Sequence, residues 1–179
     1  MTIYIALLRG INVGGHNVIK MKDLRNSFET MGFGNVKTYI QSGNVLFESS
    51  EEADILCKRM EQEIQDTFGF SGTVILRTAM ELEKIIKNCP FQADTLSEGE
   101  GLYISFLSEA PSREAINQVL INNSETEECK IIGTEVYLFL RQSIRNSKLT
   151  THLKKLKVLG TLRNWKTINK LVMMARAMG

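Results

Sequence analysis

Short continuous apolar runs and apolar residues at helical spacing follow one another along this chain, and their order predicts its architecture. Residues 3–8 are apolar, too few for a helix, and closed by a glycine-rich stretch, which reads as a central strand. Met21, Leu24, Phe28 and Met31 then recur at helical spacing, with Gly32 and Gly34 placed for a left-handed cap. Residues 36–40 and 44–48 flank Ser42 and Gly43 and predict a hairpin with a tight turn. Ile55, Met60, Ile64 and Phe68 mark a second helix, which Ser50 is expected to cap. Residues 73–77 return as a strand after the breaks at Gly69 and Gly72, completing a βαββαβ order.

The second half repeats most of that order. A connecting helix over residues 80–87 ends at Asn88-Cys89-Pro90, and residues 94–101 read as a polar loop. Residues 102–107 form a strand, 112–121 a helix entered through Pro111, and 128–132 pairs with 135–140 across Gly133-Thr134. Leu149, Leu153 and Leu156 line one face of a basic helix, and a final helix from about Trp165 turns Ile168, Leu171, Val172 and Ala175 inward. The predicted class is α+β, with two βαββ-type halves, the first a ferredoxin-like βαββαβ unit, and C-terminal helices. The expected division is a ferredoxin-like subdomain over 1–78, a connecting helix and loop over 79–101, and a second βαββ subdomain with the C-terminal helices over 102–179.

Composition narrows the function classes. The 179 residues are 43% hydrophobic, ordinary for a globular core, and no apolar run approaches the roughly 20 residues that cross a bilayer. The chain enters its first strand at once, so no secretion leader is expected. Cys57, Cys89 and Cys129 are odd in number and widely spaced, which points to reduced thiols in a cytoplasmic protein rather than to disulfides or zinc. His16 and His152 lack metal-ligand spacing, and no metal or cofactor is indicated. The net charge of +2 hides an asymmetry: from Arg141 onward stand ten of the 22 cations and none of the 20 acids, so the tail is +10 and the preceding body −8. Either an anionic partner or the acidic body itself could receive that tail.

In a βαββαβ unit the connection after the first strand and the hairpin turn share one edge of the sheet. Here these are residues 9–17, rich in glycine, and residues 41–44. Glycines let backbone N–H groups approach an anion, Arg9 adds a charge, and a helix start follows. Gly10, Gly14 and Gly15 match neither dinucleotide nor P-loop spacing, and glycine clusters of this kind are more often mere strained turns before a helix. Ser42 with His16 as its base lacks the strand-to-helix elbow of a nucleophile, and Ser147 beside Lys148 reads as a helix cap.

Residues 6–15 (Ala-Leu-Leu-Arg-Gly-Ile-Asn-Val-Gly-Gly), Met21-Lys22-Asp23-Leu24, Gly32-Phe33 and residues 36–45 form one set of motifs. With the later Ser147-Lys148-Leu149 and Arg163-Asn164-Trp165-Lys166-Thr167, they resemble the bacterial family called domain of unknown function 1697, over nearly the whole chain. The resemblance implies a ferredoxin-like unit joined to a related subdomain, and no reaction. It places the family's recurrent polar positions at Arg9, Asn12, Gly14, Gly15, Ser42, Gly43, Asn44, Arg163, Asn164 and Thr167, which form the candidate ligand site. Leu162 stands where a threonine is expected, removing a hydroxyl there. Trp165 as a helix anchor and Asn164 as its cap give that motif a purely structural reading.

Three functions compete. The first is binding of a small anionic, phosphate-bearing ligand between the glycine loop, the first hairpin and the Arg-Asn-Trp segment. The second is nucleic-acid binding by the basic C-terminal helices, although residues 44–48 lack the aromatic pattern of an RNA-stacking sheet. The third is a protein-interaction scaffold with no small ligand. No catalytic residue, membrane partner or oligomeric state is read from the sequence.

Overall fold

In the computed structural model, which describes all of residues 1–179, the first apolar run becomes β1 (Thr2–Arg9), an interior strand of a four-stranded antiparallel sheet. It is followed by α1 (Met21–Thr30), β2 (Gly34–Tyr39), β3 (Asn44–Ser49), α2 (Ala53–Phe68), β4 (Thr73–Thr78) and α3 (Ala79–Lys87). The strand order is β2-β3-β1-β4, with Ile5 opposite Leu46 on one side and Arg77 on the other. Leu24 and Phe28 of α1 and Leu56, Met60 and Ile64 of α2 pack against Tyr4, Ala6, Val45 and Phe47. Phe47 stacks on Phe33 and on Tyr4, with ring centroids 4.5 and 5.6 Å apart. The other face carries Ile5, Leu7, Leu46 and Ile75, which are buried too.

The second half runs β5 (Gly101–Leu107), α4 (Arg113–Leu120), β6 (Glu127–Ile132), β7 (Glu135–Leu140), α5 (Leu149–His152), β8 (Gly160–Asn164) and α6 (Trp165–Met178). Its sheet order, β6-β7-β5-β8, repeats that of the first half, so both halves are βαββαβ units of one topology. Leu107, Val119, Val136, Leu138, Leu149 and Leu156 share its helix-side core. On the opposite face Ile104, Phe106 and Tyr137 are buried, the Tyr137 hydroxyl donating to the Ile85 carbonyl at 2.7 Å.

The structure departs from the sequence reading at four places. The second half has a fourth strand, β8, which pairs Arg163 with Ile104. Its two buried positions are Thr161 and Arg163, both 6% exposed, and Leu162 alone packs on the helix-side core, so polar buried residues hide the strand from hydrophobic periodicity. The basic helix is one α-helical turn, α5, continued by a 3-10 turn over Leu153–Leu156 and stopped by Lys157 at φ 58°. Ser50 does not cap α2, whose N-cap is Glu52 and makes no side-chain cap bond. The first hairpin turns through four residues, 40–43, with Tyr39 paired to Asn44, so Ile40 lies in the turn rather than at the end of the expected strand.

Internal packing divides the chain into two units, residues 1–84 with 170–179, and residues 85–169. The last ten residues group with the first unit, where Arg176 Nε donates to Glu83 at 2.9 Å. Capping explains two of the helix starts. Thr78 and Glu81 exchange side-chain bonds with each other's N–H in a capping box before α3, and the Ser112 hydroxyl accepts from Ala115 N–H before α4.

Candidate functional site

The edge of the first unit is organised by one side chain. Asn12 adopts φ 53°, and its Nδ2 donates to the carbonyls of Ile19 (3.1 Å) and Gln41 (2.8 Å) while its Oδ1 accepts from Ile19 N–H at 2.8 Å. Three bonds thereby fasten the glycine loop to the residue before the α1 N-cap and to the first hairpin. Asn12 N–H also donates to the Asn17 carbonyl at 3.1 Å, and Asn17 Nδ2 to that of Gly10 at 3.1 Å. The loop tip is a small hairpin of its own. His16 N–H bonds the Val13 carbonyl at 3.0 Å, with Gly14 and Gly15 at φ 59° and 76°, the positive pair of a type I′ turn.

Gly43 is glycine for two reasons at once. Its φ is 88°, and a Cβ there would lie 2.7 Å from Ile11 Cδ1 and 3.0 Å from Leu8 Cβ. Its carbonyl accepts from Leu8 N–H at 2.9 Å, so loop, strand and hairpin are pressed together. Asn44 is fully buried; its Nδ2 donates to the Tyr39 carbonyl and to Ser42 Oγ, both at 2.9 Å. Ser42 is therefore held as a turn acceptor, and the His16 imidazole makes no hydrogen bond to it, so the structure contains no serine–histidine pair.

The chain segment through this edge carries one sign of charge over a long stretch. Residues 9–22 hold Arg9, Lys20 and Lys22 and no carboxylate, and all three cations are exposed. The α1 N-terminus, which has Lys20 at its N-cap and no side-chain cap bond, adds the partial positive charge of its first N–H groups; Asp23 in the first turn opposes it. Lys20 and Lys22 were not among the sequence candidates, and that the expected helix start lacks a side-chain cap was not foreseen. Their role depends on Asn12 reaching Ile19, and an Asn seven residues before its partner leaves no recognisable motif.

The other sequence candidates lie in the second unit. Arg163 is on β8, where its Nη1 donates to Thr161 Oγ1 at 2.6 Å and to the Leu162 carbonyl at 2.9 Å. Burial lowers its pKa to about 10, which leaves it cationic at neutral pH. Asn164 Oδ1 accepts from Thr167 N–H at 2.8 Å, the N-cap bond of α6, and Thr167 is buried. Ser147 is likewise a cap, accepting from Thr150 N–H at 3.1 Å.

Two further groups bear on chemistry. Glu127, 4% exposed, receives the N–H groups of Lys148 (3.0 Å) and Leu149 (3.1 Å) and so caps α5 from a neighbouring strand. Burial pushes its pKa up, but hydrogen bonds from Ser147, the Leu149 N–H, Gln142 and the Lys148 N–H outweigh it and hold the carboxyl below its ordinary value. Burial pushes the thiols of Cys57 and Cys129 up to about 11, and raises that of Cys89, so none is poised as a thiolate nucleophile. No group of three or more His, Cys, Asp or Glu side chains is placed to hold a metal ion, and no helix is long and apolar enough to cross a membrane.

Comparison with known proteins fits this architecture. The solved structure of the conserved bacterial protein SP0830 from Streptococcus pneumoniae is similar, with a TM-score of 0.76 and 27% sequence identity over 97% of this chain and 98% of that one. No curated protein matches the chain significantly. Residues 1–137 match the family described as protein of unknown function, DUF1697. That match takes in the whole first sheet with its glycine loop and hairpin and the second sheet as far as Tyr137 in β7, and the chain belongs to this family.

Proposed function

We propose that the first unit binds a small phosphate-bearing ligand at the edge formed by the glycine loop, the start of α1 and the first hairpin. The observation that carries this reading is the set of three hydrogen bonds made by Asn12, which draws the glycine loop, the start of α1 and the first hairpin together beside Arg9, Lys20 and Lys22. An anion gains from a guanidinium fork, from backbone N–H groups and from a helix start, all without an ordering cost where the loop is already fixed. Arg9 is the anchoring cation in this reading; Gly14 and Gly15 allow close approach, and Asn12, Ser42 and Asn44 hold the edge in shape. Arg163, Asn164 and Thr167 belong to the second unit and hold β8 and α6. The repeated strand order supports a ferredoxin-like description of each unit.

The test is a thermal-shift and calorimetric screen with inorganic phosphate, pyrophosphate and mononucleotides. A Tm rise with at least one of them is expected, and it should vanish in Arg9→Ala and shrink in Lys22→Ala. A shift that survives both substitutions, or no shift with any of these probes, rejects the reading.

A second reading rests on one specific observation. Arg145, Lys148, Lys154, Lys155 and Lys157 are all exposed along the α5 region, a surface suited to the phosphate backbone of a nucleic acid. Stacking of bases on a sheet is not part of it, because Phe106 and Tyr137 are 0% and 1% exposed. Glu109 and Glu114, which share a cleft with Lys155 and Lys157, weaken the local field. Anisotropy of a labelled single-stranded RNA should show binding near about 50 mM salt with a steep salt slope; no binding there removes this reading.

A further inference from the structure

The first turn of α6 opens onto a cavity that neither proposed function uses. It has a volume of about 540 Å³, within the range of small-molecule sites, and lies wholly in the second unit. One wall is Trp165, followed a helical turn later by Asn169; the facing wall is the segment from Cys89 to Thr95 after α3. The facing wall is held in place. Phe91 stacks on Phe139 with centroids 5.5 Å apart, Lys130 Nζ lies 5.2 Å from the Phe91 ring centre, and the Cys89 thiol donates to the Phe91 carbonyl at 3.5 Å. Asn164 caps the turn that carries Trp165, so the indole sits on a fixed helix start.

As a mere anchor, Trp165 would be sunk in the core with its N–H paired, as buried indoles are. Instead it is half-buried against the cavity, and its indole N–H makes no hydrogen bond within the protein. Asn169 spends its Nδ2 on the Trp165 carbonyl at 2.8 Å, which leaves its Oδ1 as an acceptor. Asp94 is the one charged side chain in the lining, and no Lys or Arg is among it. The site thus offers a π-face, one donor and several acceptors, with Asp94 as the one charge in its lining.

We infer that this cavity is a binding site for an uncharged or cationic planar nitrogen heterocycle bearing an amino group, of nucleobase size. The ring stacks on Trp165, a ring nitrogen or carbonyl accepts from the indole N–H, and the amino group donates toward Asn169 Oδ1 and Asp94. The inference is independent of the anion site, since it uses none of its residues.

Trp165 is the only tryptophan in the chain, so its emission reports on this wall alone. Adenosine, cytidine and uridine should be titrated into the full-length protein, with free N-acetyltryptophanamide correcting for absorbance and calorimetry measuring affinity independently. Adenosine or cytidine should quench saturably, and uridine, without an amino group, should bind about tenfold more weakly. Asn169→Leu and Asp94→Asn should each weaken binding by about tenfold at unchanged Tm. Trp165→Phe should retain binding by calorimetry while Trp165→Ala loses it, and Arg9→Ala should change nothing. The inference is overturned by unsaturable quenching with both amino-bearing nucleosides at millimolar concentration. It is equally overturned by affinity that Asn169→Leu leaves intact, or by calorimetric binding that Trp165→Phe and Trp165→Ala preserve alike.

Discussion

The two hairpins occupy the same place in the two units and each accepts one backbone bond from the end of the first strand, Leu8 N–H to Gly43 and Leu107 N–H to Thr134, yet only the first has its glycine packed over. Gly43, in the β2–β3 turn, is buried beneath Leu8 and Ile11, whereas a Cβ on Gly133, in the β6–β7 turn, would meet nothing within 4 Å. Both have positive φ, 88° and 60°. The difference comes from the preceding connection: residues 10–20 form an internally bonded loop in the first unit, while residues 108–112 pass directly from β5 to α4 in the second. One topology has thus been elaborated at a single edge. The elaborated edge is where the glycine loop, the cations and the uncapped helix meet, which is why the ligand proposal is placed there.

The sharpest way to break this comparison is to add the same methyl group to both turns. Gly43→Ala combines positive-φ strain with a clash and is expected to cost about 3 kcal/mol by urea unfolding. Gly133→Ala carries backbone strain alone, about 1 kcal/mol; equal losses would show that the packing around Gly43 does not matter. Next in size is Asn12→Ala, which leaves the Ile19 N–H and the Gln41 carbonyl without their side-chain partner and should cost about 2 kcal/mol. Hydrogen exchange should quicken around Ile19 in that variant, with β5–β8 unchanged.

The second unit has its own polar device, and Glu127 tests it. Glu127→Gln should lose about 1 kcal/mol, because the carboxylate caps α5 through charge-assisted bonds. Since the folded carboxyl titrates below its unfolded value, its contribution is complete above the ordinary Glu pKa of about 4.3 and disappears as pH falls through the lower folded value. The Tm difference between wild type and Glu127→Gln should therefore be constant near neutrality and shrink progressively in acid; a difference that acid leaves unchanged contradicts the assignment. Smallest of all is Arg176→Ala, which removes an ion pair to Glu83 whose side chains are 65% and 46% exposed, and should change stability by less than about 1 kcal/mol.

The candidate site was legible only in part. Arg9, Gly14 and Gly15 announce a loop by composition, and Ser42 and Gly43 a turn, but what Asn12 does could not be read, because its partners lie at Ile19 and Gln41 and are backbone atoms. Asn164 was legible as a cap because capping is local. Trp165 was legible as an anchor and not as a cavity wall, since the facing segment lies some seventy residues earlier in the chain.

Sequence alone determined the parts of this protein governed by local rules. The βαββαβ order of the first half, the β6–β7 hairpin and the start of the last helix follow from apolar period, turn residues and caps acting within a few residues. Tertiary structure decided the rest. β8 is a strand because β5 offers it an edge to pair with, and it buries Thr161 and Arg163 by bonding them to each other, which no hydrophobic pattern encodes. α5 is capped by a carboxylate more than twenty residues away, and the three segments around Asn12 become one edge only when the sheet brings them within hydrogen-bonding distance.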